Sequence, residues 1–130
     1  MALNILIVDD SQIVRSVIAK SLDLANVAVR TLHQAGNGAE ALKILVSHPV
    51  DLVFADINMP VMGGVELVER MSRDDHLWSI PIIIVSTEGS ATRVEELKGM
   101  GVRAYLRKPF KPEAIRAVID EVVGVPNANG

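Results

Sequence analysis

The chain has 130 residues, 49% of them hydrophobic, which fits a single domain with a buried core. Its net charge of −3 argues against a nucleic-acid-binding module, and the lack of cysteine excludes disulfides and thiolate metal sites. The N-terminus does not have the pattern of a signal peptide, and no apolar run approaches the ~20 residues that span a bilayer. We therefore expect a cytoplasmic domain that binds neither nucleic acid nor membrane directly.

The predicted elements alternate between strands and helices along the chain. Five strand-length runs are predicted as strands, in chain order Ile5–Val8, Val27–Leu32, Leu52–Ala55, Ile82–Val85 and Val102–Leu106. Four of them are apolar throughout or interrupted only by Arg103, as strands buried on both faces of a parallel sheet are. The second run carries Arg30 and alternates more, which is typical of a less buried edge strand.

Apolar residues at helical spacing predict a helix after each strand. The five stripes are Ile13, Val14, Val17, Ile18 and Leu22; Ala41, Leu42, Leu45 and Val46; Val65, Val68 and Met71; Val94 and Leu97; and Ile115, Val118, Ile119, Val122 and Val123. Asn37 with Glu40 three residues later is the pattern of a capping box, and Pro112 suits the first position of the last helix. Gly99 and Gly101 are expected to end the fourth helix.

This alternation predicts an α/β fold in which helices cover both faces of a parallel sheet. Right-handed crossovers limit the topologies that such a chain can adopt. The sequence shows neither an internal repeat nor a second domain. Residues 1–124 are predicted to form the domain, and residues 125–130 a C-terminal tail or the start of a linker.

Polar residues stand at the carboxyl ends of the predicted strands, where open α/β sheets bind ligands. They are Asp9 and Asp10 after the first strand, Asp56 after the third, Ser86 at the end of the fourth and Lys108 after the fifth. Each residue alone has a simpler explanation, because an aspartate pair caps helices, a serine occupies turns and a lysine is usually solvated. Caps and turns do not explain their joint placement, so we predict one site.

Three carboxylates in one cleft repel one another unless a cation compensates them. Their oxygen ligands favour Mg²⁺, with Mn²⁺ as a possible substitute, over Zn²⁺. A bound ion would keep Asp56 ionised, and an aspartate can attack phosphorus to give an aspartyl phosphate. Phosphoryl transfer depends on positioning and on neutralising the transferred oxygens, which the ion, Lys108 and Ser86 would do together.

The sequence resembles the receiver domains of two-component response regulators, most closely the chemotaxis regulators among them. The matching motifs, in the order of the family, are Val8-Asp9-Asp10, Asp56-Ile57-Asn58-Met59-Pro60 with Gly64, Val85-Ser86 and Lys108-Pro109-Phe110. Together they span nearly the whole chain. The resemblance implies a flavodoxin-like (βα)5 doubly wound sandwich, with a parallel five-stranded sheet of order 2-1-3-4-5 and a cis Lys108–Pro109 bond.

The resemblance also implies a role for each matching residue. Asp56 would be the phospho-acceptor, Asp10 a direct Mg²⁺ ligand and Asp9 a ligand through a metal-bound water. Asn58 would contribute its backbone carbonyl, and Lys108 would contact the phosphoryl group. The donor would be a phosphohistidine on a sensor histidine kinase or phosphotransfer protein, or a small acyl phosphate. The domain would thus not be an enzyme but a phospho-acceptor that assists its own phosphorylation and dephosphorylation.

Further positions match residues that modulate the switch in this family. Tyr105 matches the switch aromatic, which would follow Ser86 inward after phosphorylation, although a half-buried strand aromatic is its simpler explanation. Asn58 and Glu88 match positions that influence dephosphorylation. Thr87 departs from the small Ala or Gly usual there, so its β-branch is expected to narrow access to the phosphoryl site.

Two other functions remain open from the residues alone. A Mg²⁺-dependent phosphohydrolase would use similar acids, but Asp56-Ile57-Asn58 lacks the second aspartate of the common Asp-x-Asp signature. A module that pairs with partners without being phosphorylated is disfavoured by the complete set of acids, Ser86 and Lys108. Neither GxxxxGK[ST] nor GxGxxG occurs, which argues against nucleotide binding. We predict a two-component switch that presents a changed surface to a downstream effector protein.

Overall fold

The buried apolar runs of the sequence form one parallel sheet in the computed structural model, which describes residues 2–87 and 91–123. Its strands are β1 Leu3–Val8, β2 Val29–Ala35, β3 Leu52–Ala55, β4 Ile82–Ser86 and β5 Ala104–Arg107. Its helices are α1 Gln12–Leu24, α2 Gly38–Ser47, α3 Gly64–Ser72, α4 Ala91–Gly99 and α5 Pro112–Val123. The strand order is β2-β1-β3-β4-β5 with every pair parallel, which confirms the predicted fold.

The strand β3 lies at the centre of the sheet, and all four of its residues are buried. Because side chains alternate between the faces of a strand, Val53 and Ala55 enter one core and Leu52 and Phe54 the other. Burying a side chain of this size contributes about 1.5–3 kcal/mol. The residue that follows, Asp56, is therefore held at the end of a well-anchored strand.

Two hydrophobic cores lie on opposite faces of the sheet. One is formed with α2, α3 and α4, whose buried hydrophobic residues are Ala41, Leu45, Leu67, Val68, Met71 and Leu97. The other is formed with α1 and α5, whose buried hydrophobic residues are Ile18, Leu22, Ile115 and Ile119. Helices thus cover both faces, and the carboxyl edge of the sheet stays accessible between them.

Two strands begin later than the sequence predicted. The structure starts β2 at Val29 instead of Val27, and β5 at Ala104 instead of Val102. In both cases the apolar residue closes the preceding helix, because the N–H of Val27 donates to Leu22 O and that of Val102 to Leu97 O. The strand β2 also runs on to Ala35, through the polar residues His33 and Gln34, which carry no apolar signal.

The apolar stripe predicted for α1 is wider than the face that the helix buries. Ile18 and Leu22 are buried, whereas Ile13 and Val17 are 77% and 52% exposed. Residues 13 and 17 lie about 100° around the helix from residues 14 and 18, so one face cannot bury all four. Val46, expected on the second stripe, is likewise exposed.

The predicted helix boundaries agree with the structure at three points. The Asn37 side chain accepts a hydrogen bond of 2.9 Å from the Glu40 N–H, and the Glu40 carboxylate accepts one of 2.8 Å from the Gly36 N–H. The helix α5 begins at Pro112, and α4 ends at Gly99. No helix within residues 2–87 and 91–123 is long and apolar enough to cross a bilayer. The predicted tail, residues 125–130, lies outside the described residues.

Candidate functional site

The register of the central strands places the acidic residues beside one another. Val8, the last residue of β1, pairs with Ala55, the last residue of β3. Hydrogen bonding continues one step further, since the Asp56 N–H donates to Val8 O at 3.0 Å. On the other side, the Asp9 N–H donates to Ala35 O, also at 3.0 Å. The predicted convergence of these acids at the carboxyl edge is therefore built into the sheet.

Three carboxylates meet at this edge. Asp9, Asp10 and Asp56 each offer an oxygen that lies within 4.8 Å of the others. Asp9 is buried, Asp56 is partly buried and Asp10 is exposed at the mouth of the site. One member is thus fixed inside the protein while another faces incoming ligands.

The Asp9 carboxylate is held at both of its oxygens. Its Oδ1 accepts a hydrogen bond of 2.9 Å from the Ser11 N–H, and its Oδ2 accepts one of 3.1 Å from Lys108 Nζ. Ser11 also caps α1, with its hydroxyl accepting from the Val14 N–H at 3.2 Å. The turn between β1 and α1 is therefore ordered by the same residues that orient the acid.

Lys108 reaches the site from the far side of the sheet. Its N–H donates to Ser86 O at 3.0 Å, which continues the pairing of β4 with β5. Its Nζ lies 3.8 Å from Asp56 Oδ2 and is only slightly exposed. The peptide bond between Lys108 and Pro109 is cis, as the resemblance implied.

Burial raises the pKa of Asp56 above the ordinary aspartate value. The positive charge of Lys108 opposes this shift, and the negative charge of Asp9 adds to it. Hydrogen bonds from the Ile57 N–H, at 2.8 Å, and from the Ser86 hydroxyl also favour the ionised form. Desolvation has the largest effect on this pKa, so the protein alone only partly compensates the negative charge of the Asp56 carboxylate.

The donor set fits a hard divalent cation. Lys108 pairs with two of the three carboxylates, which leaves negative charge in excess at the edge of the sheet. All three groups offer oxygen, the ligand that Mg²⁺ prefers. In proteins, Mg²⁺ is usually bound by one or two carboxylates, and waters and phosphate oxygens complete its coordination shell. Such an ion would also offset the desolvation that raises the pKa of Asp56.

Two glycines allow α3 to start directly beneath Asp56. A Cβ on Gly64 would overlap the carbonyl oxygen of Asp56, and a Cβ on Gly63 would lie 2.7 Å from Ile57 O. The Gly64 N–H donates to Ile57 O at 2.8 Å, which closes the loop onto the end of β3. Only a residue without a side chain permits this approach, which gives Gly64 of the motif a physical role.

The residues predicted to modulate the switch differ in burial. Tyr105 is partly buried in β5 and packs against the core beneath α2, α3 and α4. Its hydroxyl is buried, with no hydrogen-bond partner within the described part of the chain. Thr87 and Asn58 are exposed beside the site, which leaves both accessible to ligands. Glu88 lies outside the described residues.

Arg15 belongs to the site although no sequence motif indicated it. Its guanidinium donates from Nη1 to Asp9 O, and from Nε to Gln34 Oε1 at 3.0 Å. It therefore ties the acidic turn after β1 to the end of the edge strand β2. The signal available in the sequence was a long cation one helical turn after Ser11, the residue that caps α1.

Comparison with known proteins decides the family. The family model described as response regulator receiver domain matches residues 5–120. The chain belongs to this family. As a receiver domain of two-component signalling, it is 32% identical over 129 residues to a chemotaxis protein CheY homolog of Campylobacter jejuni, covering 98% of each chain. The predicted resemblance to chemotaxis regulators is thereby confirmed.

Solved structures agree with the fold of this receiver domain. Chemotaxis protein CheY4 of Vibrio cholerae superposes with a TM-score of 0.83 and 31% identity, over 94% of this chain and 99% of that one. The receiver domain of a sensor histidine kinase from Pseudomonas aeruginosa PAO1 has a TM-score of 0.82 and 21% identity, over 95% and 99% of the two chains. That structure has a magnesium ion coordinated in its active-site cleft.

Proposed function

We propose that this receiver domain is switched by phosphorylation of Asp56. The observation that carries the proposal is the environment of that one carboxylate at the centre of the sheet. It is partly desolvated, faces Lys108 at 3.8 Å, accepts a hydrogen bond from the Ser86 hydroxyl and shares its edge with two further acids. These groups are what a transferred phosphoryl group needs around it.

Magnesium is the cofactor that the site supports best. Asp9, Asp10 and Asp56 would hold it, and the backbone carbonyl of Asn58 would be a fourth protein ligand. The excess of negative charge and the all-oxygen donor set support this choice, as does the magnesium in the Pseudomonas receiver domain. When bound, the ion supplies positive charge that favours an ionised acceptor and offsets charge on the phosphoryl oxygens.

The remaining residues position and neutralise the incoming group. Lys108 places a cation beside the acceptor oxygen, and the Ser86 hydroxyl donates a hydrogen bond there. Both have counterparts in the chemistry of phosphoryl transfer, in which catalysis is mainly positioning and charge neutralisation. By these contacts the domain assists its own phosphorylation. Asn58, Thr87 and Glu88 are proposed to set how fast water removes the group.

The partners follow from this chemistry. The donor is proposed to be a phosphohistidine on a sensor histidine kinase or phosphotransfer protein. After transfer, movement of Ser86 toward the phosphoryl group would open space for Tyr105, and the altered surface would bind a downstream effector protein. A cytoplasmic location, expected from the sequence, stays a prediction.

Intact-mass measurement tests the assignment of Asp56. Incubation with Mg²⁺ and acetyl phosphate should add one phosphoryl group, and Asp56→Asn should abolish the addition. Asp10→Asn, which alters an acid of the same cluster, should reduce the rate but keep the mass shift at long times. Full labelling of Asp56→Asn would refute the assignment, and steady release of phosphate from a phosphomonoester would indicate a hydrolase instead.

The thermal response to Mg²⁺ tests the metal site. Mg²⁺ should raise the Tm because it binds the folded cluster and relieves repulsion among its carboxylates. Asp10 is exposed, so Asp10→Ala should leave the fold intact and lose most of the shift. An equal shift in Asp10→Ala would place the ion elsewhere.

A further inference from the structure

Histidines meet at the flank formed by β2 and α2, away from the acidic cluster. The chain has three histidines, and two of them are in contact. His33 is a partly buried residue of the edge strand β2, and His48 follows the last residue of α2 and is exposed. Their ring centroids are 4.7 Å apart with the planes tilted by 48°, so the rings are in contact without stacking flat.

The network around His48 leaves one ring nitrogen available. Its Nδ1 lies 3.1 Å from Ser47 Oγ. In the tautomer that fits a Ser47 hydroxyl donating to Lys43 O at 2.8 Å, Nδ1 donates to Ser47 Oγ and Nε2 is the unprotonated nitrogen. Histidines that bind metals commonly have this arrangement, in which the other ring nitrogen donates to an oxygen and fixes the tautomer.

The separation of the two rings suits binding to one ion. An imidazole nitrogen binds Zn²⁺ at about 2.0–2.1 Å, which puts the ion about 3.2 Å from the ring centroid. Two such rings at a coordination angle of about 90–110° have centroids about 4.5–5.2 Å apart. The observed 4.7 Å falls inside that range.

We propose that His33 and His48 form a second metal site, which binds a borderline transition ion such as Zn²⁺, Ni²⁺ or Cu²⁺. Imidazole ligands favour these ions, whereas the carboxylates at the carboxyl edge favour Mg²⁺. Water completes the coordination shell. The bound ion links the end of α2 to the edge strand.

Paramagnetic Ni²⁺ provides a direct test in the full chain. The ion is titrated into ¹⁵N-labelled protein at about pH 7.5, because protons compete with metal ions for their ligands, with saturating Mg²⁺ present to occupy the acidic cluster. Amide signals near His33 and His48 should broaden with one saturable ion, while those of Asp9, Asp10 and Asp56 stay sharp. Broadening centred on the acids would overturn the proposal.

Variants separate a two-histidine site from an isolated surface histidine. His33→Ala and His48→Ala should each weaken Ni²⁺ binding about tenfold or more, whereas His76→Ala, the control that removes the third histidine, should have no effect. Amide spectra recorded without Ni²⁺ establish that each variant is folded. Loss of binding in only one of the two variants, or in His76→Ala, would overturn the proposal.

The role of Ser47 is tested by a matched pair. Ser47 and Ser72 are the last residues of α2 and α3, and each hydroxyl donates 2.8 Å to a backbone carbonyl of its own helix. Only Ser47 precedes a histidine. Ser47→Ala should weaken Ni²⁺ binding about tenfold, and Ser72→Ala should not. Equal binding by both variants would show that the hydroxyl does not position His48, contrary to the proposal.

Discussion

Lys108 Nζ lies nearer to Asp9 Oδ2, at 3.1 Å, than to Asp56 Oδ2, at 3.8 Å. The cation therefore compensates the buried acid that follows β1 as well as the proposed acceptor that follows β3. Both ends of the Lys108–Asp9 pair are largely buried, so removing the lysine leaves a charge with little water around it. Lys108 thus has a structural contribution separate from any contact with phosphate.

Lys108→Met keeps most of the side-chain volume and removes the charge. Without Mg²⁺ we expect the free energy of unfolding to fall by about 3 kcal/mol, because Asp9 becomes an unpaired buried acid. Mg²⁺ should bind more tightly to the variant, since a competing cation is gone, yet phosphorylation should be slower. Urea unfolding, Mg²⁺ titration and intact mass measure the three effects. Lys111→Met, at an exposed lysine, is the control and should change none of them.

Asp56→Asn should stabilise the protein when Mg²⁺ is absent. Because the folded-state pKa of Asp56 is raised, the folded protein binds more protons than the unfolded chain between the ordinary pKa of 3.8 and the raised value. The free energy of unfolding therefore falls as pH rises through that window, and stays lower above it. Asp56→Asn has no carboxyl group at this position, so its free energy of unfolding does not fall in that window.

Urea unfolding as a function of pH measures the difference. The excess in free energy of unfolding of Asp56→Asn over the wild type should be largest at neutral pH. It should shrink as pH falls through the window or when Mg²⁺ is added. Asp75→Asn, at an exposed acid, should show no such dependence. A variant less stable than the wild type at neutral pH would contradict the desolvation of Asp56.

Ser86→Ala tests whether the proposed phosphorylation of Asp56 changes the conformation of β5 through the Ser86 hydroxyl. Beryllofluoride, a phosphate mimic, should shift amide signals in α4 and β5 of the wild type and much less those in α2. In Ser86→Ala the charge at Asp56 is retained but the hydroxyl is gone, so the shifts around Tyr105 should shrink while phosphorylation persists. Undiminished shifts there would exclude coupling through Ser86.

Gly64→Ala should displace the acceptor. Its Cβ would overlap the carbonyl oxygen of Asp56, which is backbone and cannot rotate away. We expect a loss of about 3 kcal/mol in stability, together with slower phosphorylation. Gly99→Ala adds a methyl group that meets nothing within 4 Å at the end of α4, so it should be neutral or stabilise by up to about 1 kcal/mol. Equal stability of the two variants would disprove the steric explanation.

The strands that position the site were predictable from the sequence because they are buried on both faces. β1, β3 and β4 consist almost wholly of apolar residues, and polar residues follow them directly. The edge strand β2 is half exposed, so its pattern is weak and its start was predicted two residues too early. Val27 and Val102 follow helix ends and pack against the cores there, so their apolar side chains resemble strand residues in the sequence.

Side-chain contacts between distant elements were harder to predict. The sequence placed Lys108 near the acids, but not its preference for Asp9 over Asp56. Arg15 was missed because its hydrogen bond goes to a backbone carbonyl, which has no sequence signature. The contact of His33 with His48 joins an edge strand to a helix end and likewise depends on the folded arrangement.

The central position of β3 divides the acceptor site into two halves with separate tasks. On one side the turn after β1 carries Asp9 and Asp10, the residues proposed to hold the ion. On the other side Ser86 ends β4, with Tyr105 beyond it in β5. Under the proposed function, substitutions around the first turn therefore change the affinity for the ion without rebuilding the surface beside Ser86 and Tyr105. Ion affinity and partner choice would then vary independently within one small domain.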